Sequence, residues 1–529
     1  MRSTFSGLEL SRRALMTQQS AVNVVGHNVA NANTPGYSRQ EVVTSATGPY
    51  TSPSNVRPTG AGQIGSGVEI KSIERQFDSH IAAQYRLENS LQSQWEQKYS
   101  SMDQIEAIFN EPSDSSLRKT VDEFWSALQQ LTTEPTELSS RALVRQSATS
   151  MVNTFQTMDR QLEQVSTDLD ESIRAEANQI NSTLKQIEDL NKRIVKINAM
   201  GDSPNDLMDQ RDLLIDDLTE VLNVNVIEHA NGDLTVTFPS ENGEDIQLID
   251  TVSSGNSVAE LSYNTTDNDP GILTVVPAGE EEFVDISREE VTQGKIKGMF
   301  DSQDAVERYQ GELQTYATSY TEAINEQHRQ GFDLNGSSGQ DFFVGTDDIS
   351  TLAINPEINE DLSLIAAAGP QSLTPIDGDG NPTEPLSYNE DGELVDVDGN
   401  IVTDVEGKIA SGELVFAKGD GENAKAMAEL RHELAMEHQG TEVTFDGYYR
   451  SVIAELGIET DESFQMMENQ KALANQFDMR QEQIRGVSLD EEMTKMIQYQ
   501  HSYVAASRFT NTIDEMIDTI VNRLGIVGR

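Results

Sequence analysis

The chain has 529 residues, of which 36% are hydrophobic and 6% aromatic, and its formal net charge is −52. This length predicts about two to four domains, and the lean hydrophobic content favours long helices that bury a narrow apolar stripe. The charge argues against binding to nucleic acid or to an anionic membrane, and the absence of cysteine excludes disulfides, zinc–thiolate sites and cysteine catalysis.

No run of about 18 apolar residues is present, so no segment is expected to insert into a membrane. The first 25 residues also lack the uninterrupted apolar core of a secretory signal. By these signals alone the protein would be cytoplasmic.

The N-terminal region, residues 3–33, is predicted to be one amphipathic helix. Its apolar positions recur every seven residues, with alanines beside them on the same face. They are Leu8, Leu15, Val22 and Val29, with Ala14 and Ala21.

A stop signal ends this helix. Asn28, Asn31 and Asn33 are followed by Thr34-Pro35-Gly36-Tyr37. Asparagine tolerates the left-handed conformation that closes a helix, and proline cannot continue one. Pro35-Gly36 suits the central positions of a type II turn, so the chain is expected to turn outward here.

The next elements are predicted to be an irregular connector over 44–67, a helix over about 72–110, a shorter helix over 113–131 and a long helix over 138–199. The long helix carries apolar residues in alternating steps of four and three, with one four-residue stutter, a pattern typical of a coiled coil that locally unwinds. The seam consists of Val144, Ala148, Met151, Phe155, Met158, Leu162, Val165, Leu169, Ile173, Ala177, Ile180, Leu184 and Ile187.

Two β-rich regions interrupt the helices. Alternating residues from 224 to about 285, with turns at Asn231-Gly232 and Asn242-Gly243, predict strands. A helix over 300–330 precedes an acidic β/turn stretch over about 345–420. Helices over 423–438, 446–457, 461–485 and 489–525 are expected to close the chain.

The last helix is predicted to begin with a capping box of Ser488 and Glu491. Its apolar seam is formed by Met496, Tyr499, Tyr503, Ala506, Thr510, Ile513, Ile517, Ile520 and Leu524. Both ends of the chain are therefore lone amphipathic helices, and the economical partner of each is the other, supported by neighbouring subunits.

Three motifs resemble sites of chemistry, and each lacks a required feature. "GAGQIG" (60–65) follows a loop instead of a strand, so it is not expected to bind a dinucleotide. In "HELAMEH" the histidines are six apart, which places them on different helix faces and argues against zinc. The turns at Asp377 and Asp396 lack the glutamate of an EF-hand at position twelve, although a calcium site there stays an alternative. No catalytic residue, cofactor or metal is predicted.

The segment "NVVGHNVANANTPGYSRQ" closely resembles the N-terminal motif of bacterial flagellar rod, hook and hook-associated proteins. "GSGVEIKSIERQFD" is similar to the next block of this family, and "GVSLDEEMTKMIQYQHSYVAASRFTNTIDEMIDTIVNRLG" to its C-terminal signature. "NDLMDQRDLLIDDLTE", "NEQHRQGFDLNGSSGQDFF" and "GDGENAKAM" resemble the members that lie at the hook–filament junction, although Glu422 departs from the usual Asp-Asn start of the last block. Residues 230–290 and 345–420 resemble nothing identified.

The resemblance implies a mainly α fold with β insertions, in the discontinuous architecture of flagellar axial proteins. An inner terminal coiled-coil domain (1–60 with 486–529) would accompany a helical rod domain (61–225, 294–345 and 420–485). A β-rich insertion (226–293) and an acidic variable insertion (346–419) would complete the outer part.

The implied function is that of a structural adaptor that joins the hook to the flagellin filament, without enzyme activity. The implied partners are other copies in a ring at the hook tip, the hook protein, the second junction protein and an export chaperone on the C-terminal helix. Export through the flagellar type III apparatus would need no cleaved signal peptide, which moves the expected localisation to the flagellum outside the cell. The residues expected in subunit interfaces and terminal helix packing are Leu8, Leu15, Val22, Asn28, Asn31, Asn33, Pro35, Gly36, Tyr37, Tyr499, Tyr503, Ile513, Ile517, Ile520 and Leu524.

Two alternatives stay open. The termini alone would also suit a hook or distal rod protein. A secreted enzyme or adhesin mounted on axial termini would instead place its activity in residues 345–420, and that fragment alone would bind or hydrolyse a ligand.

Overall fold

A computed structural model describes residues 5–48, 65–109, 116–240, 245–250, 257–266, 269–377, 379, 381–389 and 392–523. Within these ranges the fold is mainly α-helical with small antiparallel sheets, as the sequence predicts. The helices are α1 (Ser6–Ala30), α2 (Ser79–Phe109), α3 (Leu117–Thr133), α4 (Leu138–Asn198), α5 (Asn205–Val221), α6 (Lys295–Arg329), α7 (Pro356–Glu360), α8 (Val405–Ser411), α9 (Glu422–Glu429), α10 (Phe445–Arg485) and α11 (Leu489–Asp518).

The strands are short, and most pair with the next strand along the chain. They are β1 (Gln40–Ala46), β2 (Val68–Arg75), β3 (Asn225–Glu228), β4 (Leu234–Phe238), β5 (Ile246–Asp250), β6 (Ser257–Val258), β7 (Glu260–Thr266), β8 (Asp269–Val276), β9 (Val284–Ile286), β10 (Phe343–Val344), β11 (Ala353–Ile354), β12 (Leu373–Pro375), β13 (Ser387–Tyr388), β14 (Leu394–Val395), β15 (Leu414–Phe416), β16 (Met436–His438) and β17 (Thr441–Val443). The largest described sheets run β3-β4-β5-β6 and β7-β8-β9, and β1-β2, β10-β11, β12-β15, β13-β14 and β16-β17 form two-stranded ladders.

The chain divides into two compact units. Unit 1 comprises Met1–Trp95, Ile173–Gly298 and Met467–Arg529, and unit 2 comprises Glu96–Ser172 and Met299–Met466. The four-part domain division derived from the sequence stays a prediction.

Helix α4 matches its predicted bounds within one residue. Every position of the predicted seam, from Val144 to Ile187, is buried. The alternation of four- and three-residue steps therefore identifies the buried face of this helix along most of its length.

The predicted helix over 72–110 is wrong at its start. Residues Val68–Arg75 form β2, which pairs antiparallel with β1, whose last three residues overlap the predicted connector. The side chain of Asp78 accepts hydrogen bonds from the backbone N–H groups of His80 and Ile81, at 2.9 and 3.3 Å. This cap fixes the start of α2 at Ser79.

Two predictions near the C-terminus are also wrong. The expected helix over 423–438 ends at Glu429 as α9, and after one 3-10 turn the chain forms the β16-β17 hairpin. The two helices expected over 446–457 and 461–485 are the single helix α10. Glycine and threonine interrupt the apolar pattern there, but Thr460 bonds back to the Leu456 carbonyl at 2.8 Å and the helix continues.

Unit 2 is centred on aromatic side chains. Phe124 is fully buried and packs against Trp125, Tyr320, Phe342 and Phe343, with ring centroids 6.1–6.3 Å apart. Burial of such large rings is a major source of stability for this unit.

Candidate functional site: the paired terminal helices

The two terminal helices pair with each other in unit 1, as the sequence predicts, and they run antiparallel. Gly7 lies beside Ile513 at one end, and Asn28 bonds to Glu492 at the other. The buried residues of α1 are Ser11, Thr17, Ala21, Val25 and Asn28. On α11 the buried residue is Glu492. Apart from Val25, the line of buried side chains on these two helices thus consists of small or polar residues.

The apolar residues predicted for this interface lie beside that line. Leu8, Leu15 and Val22 on α1 are half-buried, as are Tyr499, Ile513 and Ile517 on α11. Tyr503 is 41% exposed, and Ile520, in a π-helical turn after α11, is 47% exposed. Leu524 lies outside the described residues. A role of these side chains in subunit contacts stays a prediction.

Asn28 is the centre of a buried polar network. Its Nδ2 donates to the carbonyl of Gln40 and to Oε2 of Glu492, both at 2.9 Å. Its Oδ1 accepts from the backbone N–H of Gln40 at 3.0 Å and from the Tyr37 hydroxyl at 2.8 Å. The amide group therefore makes four hydrogen bonds, which is its full capacity.

The Tyr37 hydroxyl extends the network to His27, whose Nδ1 lies 3.0 Å away. Burial, with the nearby carboxylates of Asp206 and Asp209, raises the pKa of Tyr37. The phenol therefore stays protonated at neutral pH and donates to Asn28, so that it can accept from His27 in turn.

The stop signal adopts the predicted turn. The N–H of Tyr37 donates to the carbonyl of Thr34 at 3.2 Å, and Gly36 has φ of +74°. A Cβ at Gly36 would also lie 3.3 Å from the Cβ of Leu213. Asn31 donates from Nδ2 to the His27 carbonyl at 3.1 Å and so closes the last turn of α1, whereas Asn33 and Pro35 are exposed.

The segment after this turn is fastened to α5 through charged side chains. The N–H of Ser38 donates to Asp209 at 2.9 Å, and Arg75 bridges Asp209 and Asp212 at 3.0 and 2.5 Å. Burial raises the pKa of Asp209. Burial alone would lower the pKa of Arg75, but Asp212 and Asp209 raise it, so the guanidinium keeps its charge.

Arg86 continues this cluster to Asp216 at 2.5 Å. Arg211, in the same block of α5, is fully buried and donates to Asn191 Oδ1, the Gly232 carbonyl and Glu228 at 2.7–3.0 Å. Asp209 of the Asp-Gln-Arg-Asp block thus contacts the segment after the stop signal, whereas Arg211 contacts the β3-β4 hairpin.

Arg39 spans the break between α10 and α11. Its backbone N–H donates to the carbonyl of Arg485 at 2.8 Å, and its Nη1 pairs with Glu491 at 3.1 Å. The predicted capping box is therefore wrong. Ser488 is the N-cap residue of α11, but its side chain makes no capping hydrogen bond, and the Glu491 side chain pairs with Arg39.

The motifs set aside as sites of chemistry have structural roles where they are described. Of "GAGQIG", only Gly65 falls within the described residues. His438 lies on β16 and bonds to Glu455 at 3.2 Å. Asp377 and Asp396 each accept hydrogen bonds from two backbone N–H groups of their own turns. Over the described ranges, no three histidine or acidic side chains cluster as metal ligands, and no helix is long and apolar enough to cross a membrane.

The block around His328 organises unit 2. The ring is fully buried; its Nδ1 lies 2.5 Å from the Gln340 carbonyl, and its Nε2 accepts from the Ala366 N–H at 2.8 Å. Asn423 donates to the Ala366 carbonyl at 2.7 Å. These contacts connect α6 and α9 to the segment around Ala366, which follows α7.

His328 is expected to remain neutral well below pH 6. Burial lowers its pKa to about 4, and the nearby Arg141 acts in the same direction. The unfolded chain takes up this proton near pH 6.5, so the stability contributed by the neutral ring is full above that pH. It then falls by about 1.4 kcal/mol per pH unit until the ring protonates.

Nitrogen NMR of the ¹⁵N-histidine-labelled chain measures this directly, with His328→Gln to assign the signal. The Nδ1–H tautomer should persist to about pH 4. Protonation of this ring near pH 6.5 in the folded chain would contradict the expectation.

Paired terminal helices that enclose an Asn-rich Thr-Pro-Gly-Tyr stop define the class of flagellar axial proteins. The family described as "Flagella basal body rod protein" matches residues 8–37, and "Flagellar basal body rod FlgEFG protein C-terminal" matches 483–524. Between them, "Flagellar hook-associated protein FlgK helical domain" matches residues 102–343.

Whole-chain relatives narrow the class to one family. The chain is 32% identical to flagellar hook-associated protein 1 of Bacillus subtilis, over the full length of both. It is 27% identical to the protein of that name from Escherichia coli, covering 96% of this chain and 98% of the relative. The chain belongs to the flagellar hook-associated protein 1 family.

A solved structure supports the fold. The flagellar hook junction protein FlgK from Burkholderia pseudomallei superposes with a TM-score of 0.59 at 16% identity, covering 76% of this chain and all of that one. The family consists of flagellar structural proteins, which confirms the prediction that the chain is not an enzyme.

Sequence reasoning missed Glu492 and the partners of Arg75. Glu492 had a detectable signal, because it lies seven residues before Tyr499 and continues the spacing of Ile513, Ala506 and Tyr499. A carboxylate at an apolar heptad position indicates a buried polar contact. The partners of Arg75 lie more than 130 residues away along the chain, and no local pattern identifies them.

Proposed function

We propose that the chain is the structural adaptor at the hook–filament junction of the bacterial flagellum. One observation carries the proposal beyond family membership. Helix α11 pairs with α1 and still exposes large apolar side chains in a chain of net charge −52. They are Met493, Ile497, Tyr503, Val504, Phe509 and Met516, which are 41–57% exposed.

Neighbouring copies in a ring at the hook tip bury these side chains. The hook protein lies on one side of the ring, and the second junction protein, followed by the flagellin filament, on the other. The terminal helices gain order as the neighbours close on them, because each alone buries little apolar surface.

The chain reaches this position through the flagellar type III apparatus, without a cleaved signal peptide. An export chaperone covers the C-terminal helix beforehand and shields the same apolar side chains. The absence of cysteine suits a chain that crosses compartments unfolded.

Electron microscopy of cells that lack the gene, with a blot of the medium for flagellin, tests this proposal. Hooks without filaments and shed flagellin are expected, and the intact gene should restore filaments. Loss of the hooks themselves would indicate a hook or rod protein, and normal filaments would contradict any junction role.

A further inference from the structure

Both terminal helices carry heptad repeats, so apolar packing alone leaves the register of their pairing open. On α1 the positions are Gly7, Ala14, Ala21 and Asn28, and on α11 they are Ile513, Ala506, Tyr499 and Glu492. A shift by one heptad would bring small and apolar side chains of the same kind together again.

Two contacts define the register that the structure adopts. A Cβ on Gly7 would lie 3.0 Å from Cδ1 of Ile513, and Asn28 Nδ2 lies 2.9 Å from Glu492 Oε2. These contacts are separated by 21 residues on α1 and by 21 residues on α11. Ala21 and Tyr499 line one small cavity between them, which agrees with this register and places Ala14 opposite Ala506.

Among the interactions that a slipped pair loses, the buried one is the hydrogen bond between Asn28 and Glu492. With a shift in one direction Glu492 faces Ala21, and with a shift in the other it passes the end of α1. In both cases the carboxylate, 1% exposed in the observed pair, loses the Asn28 donor. Opposite Ala21 the carboxylate would be left against α1 without its hydrogen-bond partner, which is strongly unfavourable.

We infer that the Asn28–Glu492 hydrogen bond sets the register of the terminal helix pair. Asn28 is suited to this role because Tyr37 and Gln40 hold its amide in one orientation, with one Nδ2 hydrogen directed at α11. Glu492 also has Lys495 at 3.4 Å on its own helix, but that contact moves with α11 and carries no information about register.

Disulfide trapping tests this inference, because the chain has no cysteine of its own. Ala14→Cys with Ala506→Cys reports the observed register in the purified full chain. Ala14→Cys with Ile513→Cys, or with Tyr499→Cys, reports a slip by one heptad in either direction. With Asn28 and Glu492 unchanged, the disulfide between positions 14 and 506 of one chain should form in the highest yield.

Glu492→Leu should raise the yield of slipped disulfides relative to the observed-register disulfide about tenfold, as expected for loss of one charge-assisted hydrogen bond. Glu491→Leu is the matched control and should leave the ratio nearly unchanged, because this neighbouring carboxylate is exposed and its ion pair with Arg39 contributes little free energy. Glu492→Gln keeps an acceptor for Asn28 and should retain the observed register.

Two outcomes would overturn the inference. If Glu492→Leu yields the observed-register disulfide alone, the short connection from α10 sets the register. If it yields none of the three disulfides while Glu491→Leu yields the first, the contact is required for pairing and not for its register.

Discussion

Arg75→Met is expected to destabilise unit 1 by about 3–5 kcal/mol, the usual cost of removing one partner from a buried ion pair. Arg75 and Asp209 are 9% and 5% exposed, and the substitution leaves the Asp209 carboxylate with the Ser38 N–H. Asp212 is less affected because Arg86 also lies beside it, at 3.4 Å. The loss of stability therefore comes mainly from the unpaired Asp209 carboxylate, which also holds the Ser38 N–H after the turn.

The chain's two tryptophans allow this measurement in one unit at a time. Trp95 lies in unit 1 and Trp125 in unit 2, so Trp125→Phe leaves a reporter for unit 1 alone. Urea unfolding followed by Trp95 fluorescence should give a lower midpoint for Arg75→Met. Adding Asp209→Asn should recover much of the loss, because no buried charge is then unpaired. Arg12→Met, which breaks an exposed ion pair with Glu9 and an exposed contact with the Met16 sulfur, should leave the midpoint nearly unchanged.

The effect of Arg75→Met has a defined pH dependence. Burial already raises the pKa of Asp209, and loss of the arginine raises it further. The penalty is present while Asp209 is ionised and disappears as the pH falls through its pKa in the folded variant. The difference in stability from the unmodified chain should therefore narrow toward acid pH. A constant difference down to pH 3, or no difference at pH 7, would contradict this account.

The sequence predicts the parts of this fold that repeat along one element. The seam of α4 and the turn at Pro35-Gly36 are recoverable because helix periodicity and turn chemistry act within a few residues. Prediction from the sequence fails where the local structure depends on residues that are distant along the chain. Residues 40–46 form β1 because they pair with β2, which lies beyond the connector. The Glu491 side chain pairs with Arg39 and does not cap its own helix.

The candidate site, too, is predictable from the sequence only in its local features. Asn28, Gly36 and Tyr37 are identifiable from their motif, yet the motif does not reveal that Asn28 bonds to a carboxylate 464 residues away. The predicted apolar stripe is displaced toward the flank of the buried line. Small side chains such as Ser11 and Ala21 allow the closest approach of two helices, whereas larger residues pack beside them. Hydrophobic spacing therefore identifies the correct pair of helices, but the contact line that it predicts on α1 lies about one residue from the observed one.

Ile513→Asp is expected to abolish filament assembly although the chain is produced at a normal level. Ile513 is half-buried and lies against Gly7 at the far end of the helix pair from Asn28. An aspartate there places a carboxylate where Ile513 packs against α1. An unpaired charge at this contact is unfavourable and therefore weakens the pairing of α1 with α11.

The measurement is the number of filaments per cell, with swimming in soft agar, in a strain whose only copy of the gene carries the variant. Asn511→Asp adds the same charge two residues away at an exposed position and should swim normally. Ile513→Val removes one methylene and should also assemble. Ile513→Asp chain recovered from the medium without filaments would place the defect in assembly, whereas chain held inside the cell would place it in export. Normal filaments with Ile513→Asp would contradict a role for this helix pair in the junction.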